Sequence, residues 1–286
     1  MAILLEGVSA PLGETEVIRL LPNFHKKMVG PFIFLDRFGP VQFNQGEGID
    51  VGPHPHIGLA TITYLFEGEQ THRDSLGNEV TIYPGDINIM TAGSGIVHSE
   101  RQSDRVTSRP HTIDGVQIWV ALPKEVAEIQ PSFVHVSQQD LPTITEEGLH
   151  IKVLVGDAYG KSSKAPTYSP MFYLHAHVKA NNTLKRPNPS QECAVYLLHG
   201  NIQINDKVFK AGDFILLEKE TEMIAIKDSQ CLLIGGDYWK ETPRMMWNFV
   251  AFDKNRLLQA KEDWQAGRFP LIPHDTGKPI PFPDKK

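Results

Sequence analysis

Apolar and polar positions alternate with a period of two through most of the chain, in short runs separated by turn residues. Leu59 to Phe66 is β-branched and aromatic and stops at Glu67-Gly68. Asp74-Ser75-Leu76-Gly77-Asn78 is a turn cluster, followed by the alternating Val80 to Tyr83. Pro84-Gly85-Asp86 is a second turn, followed by Ile87 to Met90, and Gly115 to Leu122 reads as a further strand closed by Pro123. Turns this frequent, with no helical period between them, predict an all-β sandwich or barrel. One helix is expected near the C-terminus. There Asp253 is a cap, Leu257, Leu258, Lys261 and Trp264 share a face, and Gly267 is the stop. The proline-rich stretch from Pro270 to Lys286 predicts an extended tail.

The pattern repeats. Thr61 to Gly68 resembles Cys193 to Gly200, and Tyr83-Pro84-Gly85-Asp86-Ile87-Asn88-Ile89 matches Lys210-Ala211-Gly212-Asp213-Phe214-Ile215-Leu216, with a shorter hairpin between the matches in the second copy. Two related β-barrels in one chain are expected, divided as residues 1–135 and 136–286.

Composition narrows the function. A chain of 286 residues suffices for two hydrophobic cores, so neither disulfides nor structural metals are required for stability. Cys193 and Cys231 are too few for a disulfide framework or a thiolate zinc site, and the start of the chain lacks a basic segment followed by an apolar one, so a reducing cytoplasm is the expected compartment. No run is long enough to span a membrane. The net charge of −6, without a Lys/Arg cluster, argues against direct nucleic-acid binding.

The chemistry concentrates in the first repeat. His54-Pro55-His56 and His98-Ser99-Glu100 are both spaced i, i+2, which in extended backbone places each pair on one face. Pro55 biases His54 toward the extended region. If the intervening hairpins fold back, His54, His56, His98 and Glu100 converge on one divalent metal ion, for which three imidazoles and a carboxylate suit Fe, Mn, Ni, Cu or Zn. Its affinity is expected to fall as pH drops through the histidine range, because only neutral imidazole coordinates. His175-Ala176-His177 has no matching downstream pair and reads as one face of a sheet strand. His72, in a polar turn region, reads as an exposed or hairpin-bonding side chain. Gly156 to Ser162 is one residue too short between its glycines for a phosphate loop and reads as a surface loop.

His-x-His, a strand ending in Glu-Gly, Pro-Gly-Asp and then Gly95-x-x-His98 is similar to the cupin pattern, except that Leu59, Ala60 and Thr61 lack its usual carboxylate. Glu100 supplies the acid instead, and with His98-Ser99-Glu100 the chain resembles the pirins. Phe34 to Pro40, Tyr64 to Glu69, His72 to Asn78, Met90 to Glu100 and Gly115 to Val120 extend the resemblance. It implies two cupin (jelly-roll-like) barrels followed by a short helix, with metal in the first barrel alone. Pirins commonly have Arg, Phe and Glu where this chain has Ile57, Leu59 and Ala60, and Arg at Ser94. In the second repeat Arg186 and Asn188 replace His54 and His56, while Ala225 and Lys227 replace His98 and Glu100, so the donors are gone. Arg186 and Lys227 are expected on a solvated rim.

The resemblance implies an Fe(II)-dependent dioxygenase of the quercetinase type, acting on a flavonol-like aromatic substrate with O2 and releasing CO. Glu100 is its candidate catalytic residue, as general base for the substrate hydroxyl, and Ile57, Leu59 and Met90 are candidate apolar contacts for the flat ring. The resemblance also implies an alternative, an iron-dependent redox sensor acting through a regulatory protein partner.

Overall fold

The computed structural model describes residues 2–12, 15–218 and 221–283. It consists of two β units with the same strand plan. In the first, the strands Asp50–His56, Ile96–Arg101, Gln70–Asp74 and Glu79–Ile82 form one sheet in that order. Opposite it, Ser132–Val136, Ile87–Thr91, Leu59–Glu67, His111–Ala121 and Phe32–Phe43 lead a larger sheet. In the second, Thr183–Lys185, Glu222–Ala225, Asn201–Ile204 and Lys207–Lys210 repeat the small sheet. Ala2–Leu5, Phe214–Leu217, Glu192–His199, Ser229–Gly236 and Met171–Val178 repeat the large one. The repeat in the sequence is therefore a repeat of architecture, an all-β pair of cupin barrels.

The units are discontinuous in sequence. One comprises Ser9–Ile18, Asp36–Gln138 and Glu241–Lys286, and the other Met1–Val8, Arg19–Leu35 and Gln139–Lys240. A cut between 135 and 136 thus lies beside the central crossing but leaves both chain ends with the wrong unit. Ala2–Leu5 pairs antiparallel with Phe214–Leu217, filling the edge position that Ser132–Val136 takes beside Ile87–Thr91 in the first unit. These terminal segments lie outside the repeat, so periodicity carries no trace of the exchange.

The second barrel is filled. Phe172, Leu174, Leu184, Cys193, Val195, Ile202, Met223 and Leu233 pack in one buried cluster. Cys193 and Cys231 are buried free thiols, each pushed up to about 12 by burial. In the first barrel, Phe38, Phe43, Leu65, Ile82 and Ile113 close the corresponding core, but a polar layer lies beyond them.

The helix Lys254–Gln265 starts where expected, with the Asp253 carboxylate accepting from Asn255 N–H. Its buried residues are Leu257 and Ala260, and Trp264 packs on the same cluster. Leu258 is exposed, because the packed stripe follows i, i+3, i+7 and leaves position i+1 facing water. This helix and Phe249–Ala251 cover Ile57, next to the end of the strand Asp50–His56. Gly58, at φ +67, permits the approach, since a Cβ there would lie 2.0 Å from the Val250 carbonyl oxygen.

The tail is docked rather than free. Trp264 Nε1 donates to the Ile280 carbonyl at 3.0 Å, and Ile280 N–H donates to the Pro53 carbonyl at 2.8 Å. Ser99 Oγ donates to the Asp275 carboxylate at 2.5 Å. Phe282 packs against Trp247 and Phe249. No helix among the described residues is long and apolar enough to cross a membrane.

Phe249 is fully buried at the centre of this aromatic cluster. Phe249→Ala is expected to cost about 3–5 kcal/mol, read as a lower urea midpoint at unchanged slope. A loss below about 1 kcal/mol would mean that the C-terminal segment does not pack on the barrel.

Candidate metal centre

Two antiparallel strands build the centre. Asp50–His56 pairs with Ile96–Arg101 so that His98 lies opposite His54 and Ile96 opposite His56. The i, i+2 spacing turns His54 and His56 to one face, and the register brings His98 to the same place. Ring centroids are 4.3 Å apart for His54 and His98, 5.1 Å for His54 and His56, and 5.0 Å for His56 and His98. One nitrogen from each ring lies within 4.8 Å of the other two. No other group of three among the described residues meets that geometry.

All three rings are buried, and each has a nitrogen that can coordinate. His54 Nδ1 lies 2.8 Å from the Gly52 carbonyl, which can only accept, so Nδ1 carries the proton and Nε2 is the lone-pair atom. His56 is held by a backbone hydrogen bond to Asn248 and braced by the Trp119 ring at 5.1 Å. His56 Nδ1 and His98 Nε2 have no hydrogen-bond partner. Such orphaned buried nitrogens cost about 1–3 kcal/mol each, and a divalent ion satisfies them. Burial pushes His54 down to about 4, against a smaller opposing pull from Gly52, and pushes His56 and His98 well below their ordinary value. The rings are therefore held neutral, the form that coordinates. The donor set fits a divalent metal.

Glu100 is placed differently from the triad. A bulge between His98 and Glu100 shifts the register so that Glu100 lies opposite Val51. Its carboxylate accepts from Gln117 Nε2 at 3.1 and 3.3 Å and lies 3.3 Å from Thr63 Oγ1. It is outside the group of mutually close donors. Burial raises its pKa, in spite of His72, Gln117 and Thr63, which pull it down.

His72 was expected in solvent or at a hairpin and is instead buried beside the triad. Its Nδ1 is 3.4 Å from His98 Nδ1, its Nε2 is 3.0 Å from Asp74 Oδ2, and its ring stacks on Phe133. The readable signal is His72-Arg73-Asp74, a third i, i+2 pair of polar residues in a strand. Among the candidate apolar contacts, Met90 faces Thr61 across the large sheet and Leu59 shares the Thr61 and Thr63 face. Ile57 instead belongs to the cluster under the helix.

In the second barrel His175 receives a hydrogen bond from Gln230 at 2.6 Å, and the His175–His177 pair lies on the sheet face with His150. Arg186 is not on a rim. It is buried, donating to the Glu218 carbonyl at 2.6 Å, to the Gln191 carbonyl and to the Cys193 thiol. An inward guanidinium finds backbone acceptors there that the rim would not provide. Lys227 is exposed.

The shifted histidines change the expected pH response. The unfolded chain titrates them near about 6.5, and the folded barrel holds His54 at about 4. The unfolded state therefore binds more protons in that window, and stability falls as pH is lowered through it. Metal-free protein is expected to melt at steadily lower temperature from about pH 7 to about pH 4.5, while a bound ion is retained below the ordinary histidine range. A melting temperature flat across this window, followed by scanning fluorimetry, would mean that the triad titrates as exposed histidine.

Residues 14–120 match the Pirin family model, and residues 173–270 match that of the pirin C-terminal cupin domain. A "Pirin-like protein" of Caulobacter vibrioides is 43% identical over 285 residues, 96% of each chain. The crystal structure of quercetin 2,3-dioxygenase from Acinetobacter baumannii superimposes with a TM-score of 0.90 at 34% identity, over 100% of this chain and 95% of that one. The bacterial pirin YhhW from Escherichia coli in complex with nickel(II) has the same fold, with a TM-score of 0.66 at 22% identity over 83% of this chain and 100% of that one. With both family models placed on the two barrels and a relative matched almost end to end, the chain belongs to the pirin family.

Proposed function

We propose that this protein is a metal-dependent dioxygenase of the quercetin 2,3-dioxygenase type, which opens a flavonol-like ring with O2 and releases CO. The observation that carries this reading is the buried triad of neutral imidazoles, two of whose nitrogens have no partner. The full-length similarity to the Acinetobacter baumannii quercetin 2,3-dioxygenase supports the reaction class. His54, His56 and His98 would hold the ion with Glu100 as the fourth donor. Fe(II) is the metal we assign, and Mn, Ni, Cu and Zn compete for the same donors. When bound, the ion supplies Lewis acidity and a meeting place for dioxygen and the deprotonated flavonol.

The protein's own part is proton transfer and positioning. Glu100 takes the proton of the flavonol 3-hydroxyl as general base. Gln117 Nε2 holds the carboxylate in place, and Gln117 Oε1 in turn lies 2.7 Å from Thr63 Oγ1. Trp119, Thr61 and Met90 form one cross-strand row at the level of the triad, with Trp119 against His56, and Trp119 and Met90 offer apolar surface to a flat ring. Substrate and O2 together balance an ester product and CO, so no external reductant is needed.

His56→Ala is expected to leave the barrel folded by circular dichroism while removing bound metal, measured by elemental analysis; undiminished metal content would reassign the donor. Glu100→Gln is expected to retain metal on the imidazoles and to slow oxygen uptake with quercetin by about 10²–10⁴-fold. Iron-loaded parent protein that consumes no oxygen with quercetin would overturn the proposed activity.

A further inference from the structure

The turn Asp74-Ser75-Leu76-Gly77-Asn78 is built around one buried carboxylate. Asp74 is fully buried, and its Oδ1 accepts from Leu76 N–H at 2.9 Å and Asn78 N–H at 3.1 Å. Asn78 Nδ2 donates to both oxygens, at 3.0 and 2.9 Å. The turn is pinned to the strand that carries His98, because Ser75 N–H donates to the Val97 carbonyl and Val97 N–H donates back to Ser75 Oγ. Gly77 completes it at φ +89. Oδ2, which also accepts from Asn78 Nδ2, faces His72 Nε2 at 3.0 Å.

That contact fixes a sequence of protons. The Asp74 carboxylate accepts, so His72 Nε2 carries the hydrogen and His72 Nδ1 presents a lone pair. His98 Nδ1, 3.4 Å away, then donates to it, which leaves the lone pair of His98 on Nε2. Nε2 is the atom that has no partner. Reversing either link would put a hydrogen where the ion must bind.

We infer that His72 and Asp74 are positioning residues, forming a carboxylate–imidazole–imidazole chain that sets the tautomer and ring orientation of His98 for metal coordination. This rests on the metal-site reading given above. Each of the three rings then has its own backbone or side-chain orienter: Gly52 for His54, Asn248 for His56, and His72 for His98. Loss of such an orienter typically weakens metal binding by about 10–100-fold.

Two substitutions separate this role from packing. His72→Phe keeps the stack on Phe133 and abolishes the hydrogen bonds, whereas His72→Gln loses the ring but can accept from His98 and donate to Asp74. Cobalt(II) affinity, measured by chelator competition, and the visible spectrum of the cobalt-loaded protein are the readouts. The expected result is that His72→Phe melts like the parent without metal, binds cobalt about 10–100-fold more weakly and shows a shifted spectrum, with His72→Gln restoring both toward the parent. Equal affinity in parent and His72→Phe, or His72→Gln binding no better than His72→Phe, would overturn the inference. Should His72→Phe fail to fold, Asp74→Asn decides. It keeps an acceptor for the turn but offers a donor to His72, and it too is expected to weaken cobalt binding; parent-like affinity there overturns the inference. A parent protein that binds no cobalt overturns the metal-site reading and this inference with it.

Discussion

Removing three imidazoles from water is the constraint around which the first barrel is organised. Each ring must stay neutral, each must keep one nitrogen satisfied, and each must present the other to a common point. The energetic penalty of two orphaned nitrogens is comparable with a sizeable part of a domain's net stability. The surroundings therefore over-determine the geometry. Strand register sets the separation of His54 and His98, the Gly52 and Asn248 backbones fix two rings, and the docked tail presses on the strand that bears them. A Cβ on Gly52 would lie 2.8 Å from the Lys278 carbonyl oxygen, which shows how closely that strand is clamped.

The second barrel shows what the same plan looks like without the constraint. Its strands run in the same order, yet apolar side chains fill its core, and the buried cation at the position of His54 donates to the Glu218 and Gln191 carbonyls. Arg186 turns a coordination position into a structural one. A guanidinium bonded to two backbone oxygens stands where the first barrel has an imidazole donor.

The architecture and the triad were legible because both rest on period two. Alternation marks the strands, and His-x-His and His-x-Glu put side chains on one face wherever the backbone is extended. What the pattern hides is anything set by contacts between distant segments. The bulge that displaces Glu100 from the register of His98 is invisible in His98-Ser99-Glu100 itself. His72 looked like a turn residue because the turn begins two positions later, and only the pairing of Gln70–Asp74 with Ile96–Arg101 brings it inward. Arg186 looked like a rim residue because its acceptors are backbone carbonyls, which no sequence motif announces. Leu258 fitted a helical face by spacing, but Ala260 is the residue that is buried.

The exchange of the chain ends separates, along the sequence, the donors from the groups that steady them. The donors lie between His54 and Glu100, whereas the backbone that steadies His56 and the segment that straps its strand lie beyond Glu241. The rings are thus oriented through contacts whose loop-closure cost must be met before they form. Ring geometry fit for coordination is therefore completed by contacts of long sequence separation rather than by the strands alone.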